Sequence, residues 1–346
     1  MSAWRSESRI GVALRGALRP AAGLFGGVVA LRNRLYDRGR LRVRTASIPA
    51  VSVGNIAVGG AGKTPVSAWL ARQLAFHGAT PGIVMRGYGG DEPLVHRELN
   101  PEIPVLIYAD RAAGIQAAAR VGCDVAVLDD AFQHRRAART EDMVLLSADS
   151  WTGSTVLLPA GPWREPLSTV RRASLVLVTV RTAGATVVDD LLRSVADAAP
   201  AVPTAVARFA PEELRPLWGD SSQSLEALQG RRVLAVAAIA DTEPFFVSLE
   251  RLGASVTRLA FADHHRFSGR DVAAIRSAAG GHDLVVCTLK DAVKLRGVWS
   301  PERPAVWYVS QGVSIEQGMN EVAALIGRLL TARAAGEPRQ RDLATG

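Results

Sequence analysis

The sequence predicts an α/β protein: a mostly parallel sheet with helices on both faces, a second, smaller α/β domain after it, and a basic helix in front. Three observations carry this. From residue 48 onward, short apolar runs alternate with longer amphipathic stretches, the pattern of βαβ units. A glycine-rich segment joins the first such strand to its helix. The excess positive charge is confined to the N-terminal arm.

Composition bounds the rest. The chain has 346 residues, 48% apolar and 21% charged, enough apolar content for two ordinary cores. That excludes a disordered chain, a collagen and a disulfide-stapled miniprotein. Mean hydropathy is only +0.12, so a polytopic membrane protein is excluded as well. The two cysteines, Cys123 and Cys287, lie in apolar runs and read as reduced core residues. The net charge is +8, and residues 1–44 account for it, with ten arginines against Glu7 and Asp37. A neutral body with one basic element argues against a nucleic-acid surface and for a local anionic partner.

The elements come in order. Residues 8–38 read as a helix, with Ile10, Leu14, Leu18, Phe25, Val28, Val29 and Leu35 at helical spacing and an expected kink at Pro20. Its apolar stretch, Ala21 to Leu31, is too short to span a bilayer and is flanked by Arg15, Arg19, Arg32 and Arg34. Long arginines can snorkel while the apolar face sits among lipid headgroups, so an interfacial helix is expected. A helix packed on its own domain is the alternative. Strand Ile48–Val53, helix Lys63–His77, strand Val105–Ile107, helix Ala112–Val121 and strands Val125–Leu128, Met143–Leu146, Leu175–Val180 and Thr204–Arg208 come next. A loop with Pro211, Pro216, Gly219 and Gly230 marks a boundary. Beyond it run strand Val233–Ile239, helix Thr242–Arg251, strand Val256–Phe261, helix Gly269–Ala278, strands Leu284–Cys287 and Val306–Val309, and a closing helix over 315–334. The expected division is a basic helix over 1–44, a nucleotide-binding domain over 45–215 and a smaller domain over 216–346. The tail from Ala335 is expected to fray.

The strongest chemical signal is Ala57-Val58-Gly59-Gly60-Ala61-Gly62-Lys63-Thr64. It has P-loop spacing, with Ala57 where the strict form has Gly, and it stands between a strand and a helix. The glycines let the backbone approach a phosphate, and the helix N-terminus adds positive potential. Lys63 would reach the terminal phosphates and the Thr64 hydroxyl would join a Mg2+ shell. The chain has only three lysines, Lys63, Lys290 and Lys294, so a lysine at this position is not incidental. The apolar strand over 125–128 ends in Asp129 and Asp130, as a Walker B element does beside a nucleotide. Together these give a P-loop NTPase-type α/β/α sandwich.

Several further strings occur in one order: Ser52-Val-Gly-Asn55, Arg86-Gly-Tyr-Gly-Gly90, Asp91-Glu92-Pro93, Asp129-Asp130-Ala-Phe132-Gln133-His134-Arg135, Leu158-Pro-Ala-Gly-Pro-Trp-Arg164-Glu165-Pro166, Asp263-His264-His265-Arg266-Phe267-Ser268 and Lys290-Asp291-Ala-Val-Lys294. Over roughly residues 24–330 this series resembles the tetraacyldisaccharide 4′-kinases, the LpxK family of lipid A synthesis. The resemblance implies ATP-dependent phosphorylation of the 4′-hydroxyl of a tetraacyldisaccharide 1-phosphate, giving lipid IVA, with Mg2+ as cofactor. It implies a lipid disaccharide substrate and a membrane surface as partners, through an N-terminal helix on the cytoplasmic face of the inner membrane. No nucleic-acid or protein partner is expected. Carried over by position, Asp91 is the base and His264, from the smaller domain, its partner, with His265 as the other choice. Glu92, Asp129 and Asp130 are candidate Mg2+ or outer-shell carboxylates beside Thr64. Arg164 would balance charge on the transferred group, Gln133 and His134 would orient neighbours, and Lys290 and Asp291 would shape a loop near the nucleotide. Lys294 reads as a solvated helix residue.

Three features depart from the family pattern. Gly90 runs straight into Asp91, where the family has a longer segment, so Asp110 stands as an alternative base. Ala131 replaces a Gly, at a cost of about 1 kcal/mol if that backbone needs positive φ. Leu289 stands where a Glu is usual. Two other readings remain: a catalytically silent relative, and a P-loop GTPase or metallochaperone-like protein. For the latter, the strand over 175–180 leads into Arg181-Thr182-Ala183-Gly184 rather than a guanine-reading Asn-Lys-x-Asp string.

Overall fold

A computed structural model describes residues 9–87, 90–300 and 305–336. The expected helix start at residue 8 and the tail beyond 336 lie outside the described residues. Helix α1 (Arg9–Asp37) is continuous and contains Pro20, so Pro20 does not split it. Pro20 is exposed, which leaves the carbonyl freed by its missing N–H open to water. The helix carries two stripes. Ala22, Val29 and Asn33 are buried, and a Cβ on Gly26 would come within 2.7 Å of Leu157. Leu14, Leu24, Val28 and Leu31 are exposed. The buried stripe is the one that packs the helix on its own unit.

The packing divides the described residues into two compact units: residues 9–87, 99–209 and 313–336 form the first, and residues 90–98, 210–300 and 305–312 the second. In chain order the elements are β1 (Ala50–Asn55), α2 (Lys63–Phe76), β2 (Pro81–Met85), α3 (Glu92–Leu99), β3 (Val105–Ile107), α4 (Arg111–Arg120), β4 (Val125–Asp129), β5 (Glu141–Ser147), β6 (Leu175–Val180), α5 (Ala185–Ala198) and β7 (Thr204–Pro216). They continue with β8 (Gln223–Ser224), β9 (Arg232–Ala237), α6 (Glu243–Arg251), β10 (Ser255–Ala260), α7 (Gly269–Ala278), β11 (Leu284–Thr288), α8 (Leu289–Leu295), β12 (Val306–Gln317) and α9 (Met319–Ala334). The chain leaves the first unit along β7 and returns along β12.

In the first unit the strands run in the order β7-β6-β5-β1-β4-β2-β3, all parallel. Side chains alternate between faces, as the pleat requires. Val51, Val53, Val125, Val127, Met143 and Leu145 join a core with α2 and α9. Val144, Leu146, Val176 and Val178 face α5, and Ala126 and Leu128 face α4. Strand order reverses at β1, which lies between β4 and β5. Ligands bind outside the carboxyl ends of strands at such a point. Here the register sets Val53 beside Asp129.

The second unit has parallel strands in the order β10-β9-β11-β12. Leu234, Val236 and Val285 pack with α7 and α8, while Val233, Ala235 and Val286 pack with α6. Helix α7 opens with a capping box between Ser268 and Asp271, which satisfies two N–H groups that the first turn leaves without partners.

The division differs from the sequence expectation: helix α1 falls within the first unit, the boundary lies at 209/210 and not at 215/216, and two further helices change sides. Helix α9, expected in the smaller domain, belongs to the first unit, because Val322, Leu325, Ile326 and Leu329 bury in the core under α2. Arg328 also donates to both carboxylate oxygens of Glu141, at 2.7 and 3.1 Å. Conversely, α3 belongs to the second unit. Glu98 at its end receives two bonds from the Arg296 guanidinium and one from the Tyr308 hydroxyl at 2.9 Å. The sequence reading left out β2, whose Pro81-Gly82 start resembles a turn, the short helices α3 and α8, the two-residue strand β8, and the 14-residue helix α5.

The Arg296 guanidinium holds the Glu98 carboxyl below its ordinary value of 4.5, against the opposing cost of burial, with Tyr308 helping. A carboxylate depressed on folding stabilises the native state above 4.5, and that contribution is lost as pH falls through the lower folded value. Glu98→Gln is therefore expected to lower the denaturation midpoint at neutral pH, with the two proteins converging as pH drops below 4.5. Urea titrations across that range check it; parallel curves would remove Glu98 from the acid response.

Candidate active site

Strand β1 is buried throughout and delivers the chain to the P-loop. Gly59 and Gly62 both have positive φ, at 130° and 81°. At Gly62 the constraint is double, since a Cβ there would come within 2.3 Å of the Phe209 ring. The loop is held from outside. Thr179 Oγ1 donates to the Ala61 carbonyl at 3.1 Å, and Arg181 donates to the Gly60 carbonyl at 3.0 Å. The Asn55 amide donates to the Ala57 carbonyl, and the Val58 N–H to the Pro162 carbonyl at 2.7 Å. Burial lowers the proton affinity of Arg181, with Asp149 opposing. Its neighbours Thr182 and Ala183 bind Asp149 through their N–H groups.

Lys63 and Thr64 open α2. Thr64 Oγ1 lies 3.4 Å from Asp129 Oδ2. Lys63 Nζ and an Arg164 Nη approach the same Asp130 oxygen, at 3.8 and 3.5 Å. Asp130 has φ +51°, and its N–H donates to the Val53 carbonyl at 2.9 Å. The buried Arg111 guanidinium donates to the Asp129 carbonyl at 3.2 Å, the Asp130 carbonyl at 3.5 Å and the Tyr108 carbonyl at 2.9 Å. It thereby fixes the turn that carries both carboxylates. Ala131 does not have positive φ; the left-handed residue is Asp130, so the expected cost at Ala131 does not arise. Gln133 Nε2 donates to the Asn55 carbonyl at 2.7 Å, the orienting role expected of it.

In the second unit, Asp91 precedes α3 and is 3% exposed. Its Oδ2 lies 3.4 Å from His264 Nδ1, and its Oδ1 is buried without a hydrogen-bond partner. His264 has φ +56°. Asp130 and His264 are the non-glycine residues with positive φ among the described residues, and such strain concentrates at functional sites. His265 turns elsewhere: its Nε2 lies 3.2 Å from Asp271, and its ring stacks on Phe261 at 4.9 Å. Ser268 chiefly, with His265, holds the Asp271 carboxyl down to about 2. Of the two histidines that the sequence left open, His264 is the one that lies beside Asp91. Asp110 caps α4 by accepting from the Ala112 N–H at 3.0 Å and pairs with Arg44, a structural position.

Glu92 opens α3 in the second unit, whereas Thr64, Asp129 and Asp130 belong to the first. Asp91 likewise shares a unit with His264, not with the P-loop. Lys294 is not a solvated helix residue: its side chain is 12% exposed and its Nζ lies 2.8 Å from Asp291 and 3.4 Å from the Ala238 carbonyl. Asp291 accepts from the Ala238 N–H and the Thr288 hydroxyl, and so shapes the start of α8. Leu289, in the place of the usual Glu, packs against the core of the second unit. Sequence reasoning missed Arg111 and Glu165. Each stands beside a residue that it did single out.

The sequence pattern of the tetraacyldisaccharide-1-P 4′-kinases, LpxK, matches residues 14–91 and 89–329. The two stretches meet where Gly90 runs into Asp91. The tetraacyldisaccharide 4′-kinase of Halorhodospira halophila is 38% identical over 343 residues, covering 93% of this chain and 95% of its own. That of Anaeromyxobacter dehalogenans strain 2CP-C is 40% identical over 319 residues, covering 84% of each. The crystal structure of LpxK from Aquifex aeolicus in complex with ATP superposes with a TM-score of 0.72 at 27% identity, covering 91% of this chain and 99% of that one. With a match over nearly its whole length, and the family's motifs placed at strand ends and helix starts, this chain belongs to the tetraacyldisaccharide 4′-kinase family.

Proposed function

We propose that the protein transfers the γ-phosphoryl group of ATP to the 4′-hydroxyl of a tetraacyldisaccharide 1-phosphate, leaving ADP and a bis-phosphorylated lipid. The observation that carries this reading is the convergence of Lys63 and Arg164 on one Asp130 oxygen at the start of the P-loop helix. Two cations held beside a Gly-rich loop are suited to three phosphate groups. Lys63 binds the terminal phosphates, and Arg164 stabilises charge on the oxygens of the transferring group. Thr64 and Asp129 present adjacent oxygen donors, 3.4 Å apart, a set that suits a hard divalent cation. Mg2+ bound there would neutralise charge on the phosphates.

The acceptor needs a base, since a sugar hydroxyl is a weak nucleophile. Asp91 is the candidate. A buried carboxylate oxygen without a donor is costly, and Asp91 Oδ1 is such an atom. A substrate hydroxyl would satisfy it, give up its proton to it and attack the γ-phosphorus, and ADP would leave. His264, beside Oδ2, steadies the carboxylate. The phosphate-binding groups belong to the first unit and the proton-accepting pair to the second.

The exposed stripe of α1, with Leu24, Val28 and Leu31, is proposed to lie in the headgroup zone of the cytoplasmic face of the inner membrane. No described helix is long and apolar enough to cross a membrane. Arginines flank the stripe and suit anionic lipids.

Transfer and membrane binding are each testable. With Mg·ATP and tetraacyldisaccharide 1-phosphate in mixed micelles, wild type forms labelled product. Asp91→Ala and Lys63→Ala each lower kcat by about 100-fold or more, and His265→Ala by far less. Full activity in Asp91→Ala would move the base elsewhere. Wild type also sediments with anionic phospholipid vesicles in a salt-sensitive way, whereas the triple variant Leu24→Ser, Val28→Ser, Leu31→Ser stays in the supernatant. Equal sedimentation of both would refute the membrane face.

A further inference from the structure

The inward stripe of α1 ends on Asn33, and Asn33 touches more than packing requires. Its side-chain amide donates to Glu165 Oε2 at 2.9 Å. Glu165 is 1% exposed, and the same oxygen accepts from Arg172 at 2.7 Å. A second arginine, Arg32, stands 3.4 Å from Oε1. The Arg172 guanidinium lies 4.4 Å over the Phe132 ring, and burial lowers its proton affinity to about 10 against the pull of Glu165. Glu165 is the residue after Arg164. The N–H groups of both bond to the Ile56 carbonyl, at 2.8 and 3.4 Å, immediately before the P-loop. The Asn33 carbonyl separately accepts from Arg135 at 3.0 Å.

Resting on the kinase reading above, we infer that Asn33 is a positioning residue for phosphoryl transfer, acting through buried Glu165 on the placement of Arg164. The effect is one of leverage. The Arg164 side chain is long and partly exposed, so the direction it takes is set by its backbone. That backbone is pinned on one side by Ile56 and on the next residue by a carboxylate whose position depends on Asn33 and Arg172. Loss of the Asn33 amide leaves the buried carboxylate short of a donor, and the segment relaxes toward other partners. The Arg135 contact uses the Asn33 backbone carbonyl and survives side-chain substitution, and the Arg32 guanidinium that donates to Asn33 Oδ1 at 3.4 Å also donates to Glu165 Oε1, so both side-chain contacts of Asn33 lead to Glu165. The membrane-facing helix is in this way joined to the phosphate site by a chain of two side chains.

The test is a double-mutant cycle on the full-length protein with soluble micellar substrate. Asn33→Ala is expected to lower kcat about tenfold while KM for ATP stays within about twofold. In an Arg164→Ala background the same substitution should cost less than about twofold, because its route is already cut. A tenfold further loss in that background, or an unchanged kcat in the single variant, would overturn the inference. If Asn33→Ala does not fold, as judged by thermal melting, Glu165→Gln takes its place in the cycle, with the same two outcomes. Absence of transfer by wild type would instead sink the kinase reading, so the two failures are distinguishable.

Discussion

The turn after β4 holds Asp130 in the left-handed region, a conformation that costs an ordinary residue roughly 1–3 kcal/mol and persists only where its surroundings enforce it. Here they do so from three directions. The Asp130 N–H bonds back to β1, Arg111 takes the carbonyls of Asp129 and Asp130, and Lys63 and Arg164 meet the carboxylate. Each of these groups comes from a different stretch of chain. The parallel register of β1 and β4 is what brings the stretches together. Were that turn to relax, Asp130 would leave Lys63 and Arg164 facing each other, two like charges without a counterion.

The second unit repeats the logic with other residues. His264 is also left-handed, and its ring stands against a carboxylate that the fold has otherwise buried. Asp91 lies just before α3, and α3 is held at its far end by Glu98, Arg296 and Tyr308. A short helix gripped in this way is a stiff support for one carboxylate. Burial pushes the Tyr308 hydroxyl up, with Glu98 adding to it, so the hydroxyl remains a donor to Glu98. Despite the abrupt join between Gly90 and Asp91, Asp91 is therefore anchored from its C-terminal side, through α3.

What could be read from the sequence was what local pattern encodes. Gly59, Gly62, Lys63 and Thr64 stand at fixed spacing because one turn and one helix start demand it. Asp129 and Asp130 end an apolar strand for the same reason. Most strands of the first unit were legible because they are buried on both faces and read as unbroken apolar runs. What could not be read depends on distant partners. Arg111 is an ordinary helix-start arginine until the sheet places it under Asp129. Glu165 is one acid among many until Asn33, more than a hundred residues earlier, donates to it. Lys294 has helical spacing from Lys290, yet its charge is turned inward to Asp291. Helix α9 comes after the smaller unit in sequence, and its apolar stripe against α2, with Arg328 on Glu141, reveals where it belongs.

Everything proposed for this site converges on where the phosphoryl group arrives. Phosphorus–proton correlation NMR of the lipid formed from Mg·ATP and a tetraacyldisaccharide 1-phosphate reads that position out. The expected spectrum has a second phosphomonoester coupled to the proton on the 4′ carbon, with the original phosphate unchanged at position 1. A phosphate coupled to protons of any other carbon, or release of inorganic phosphate with the lipid unmodified, would refute the kinase reading.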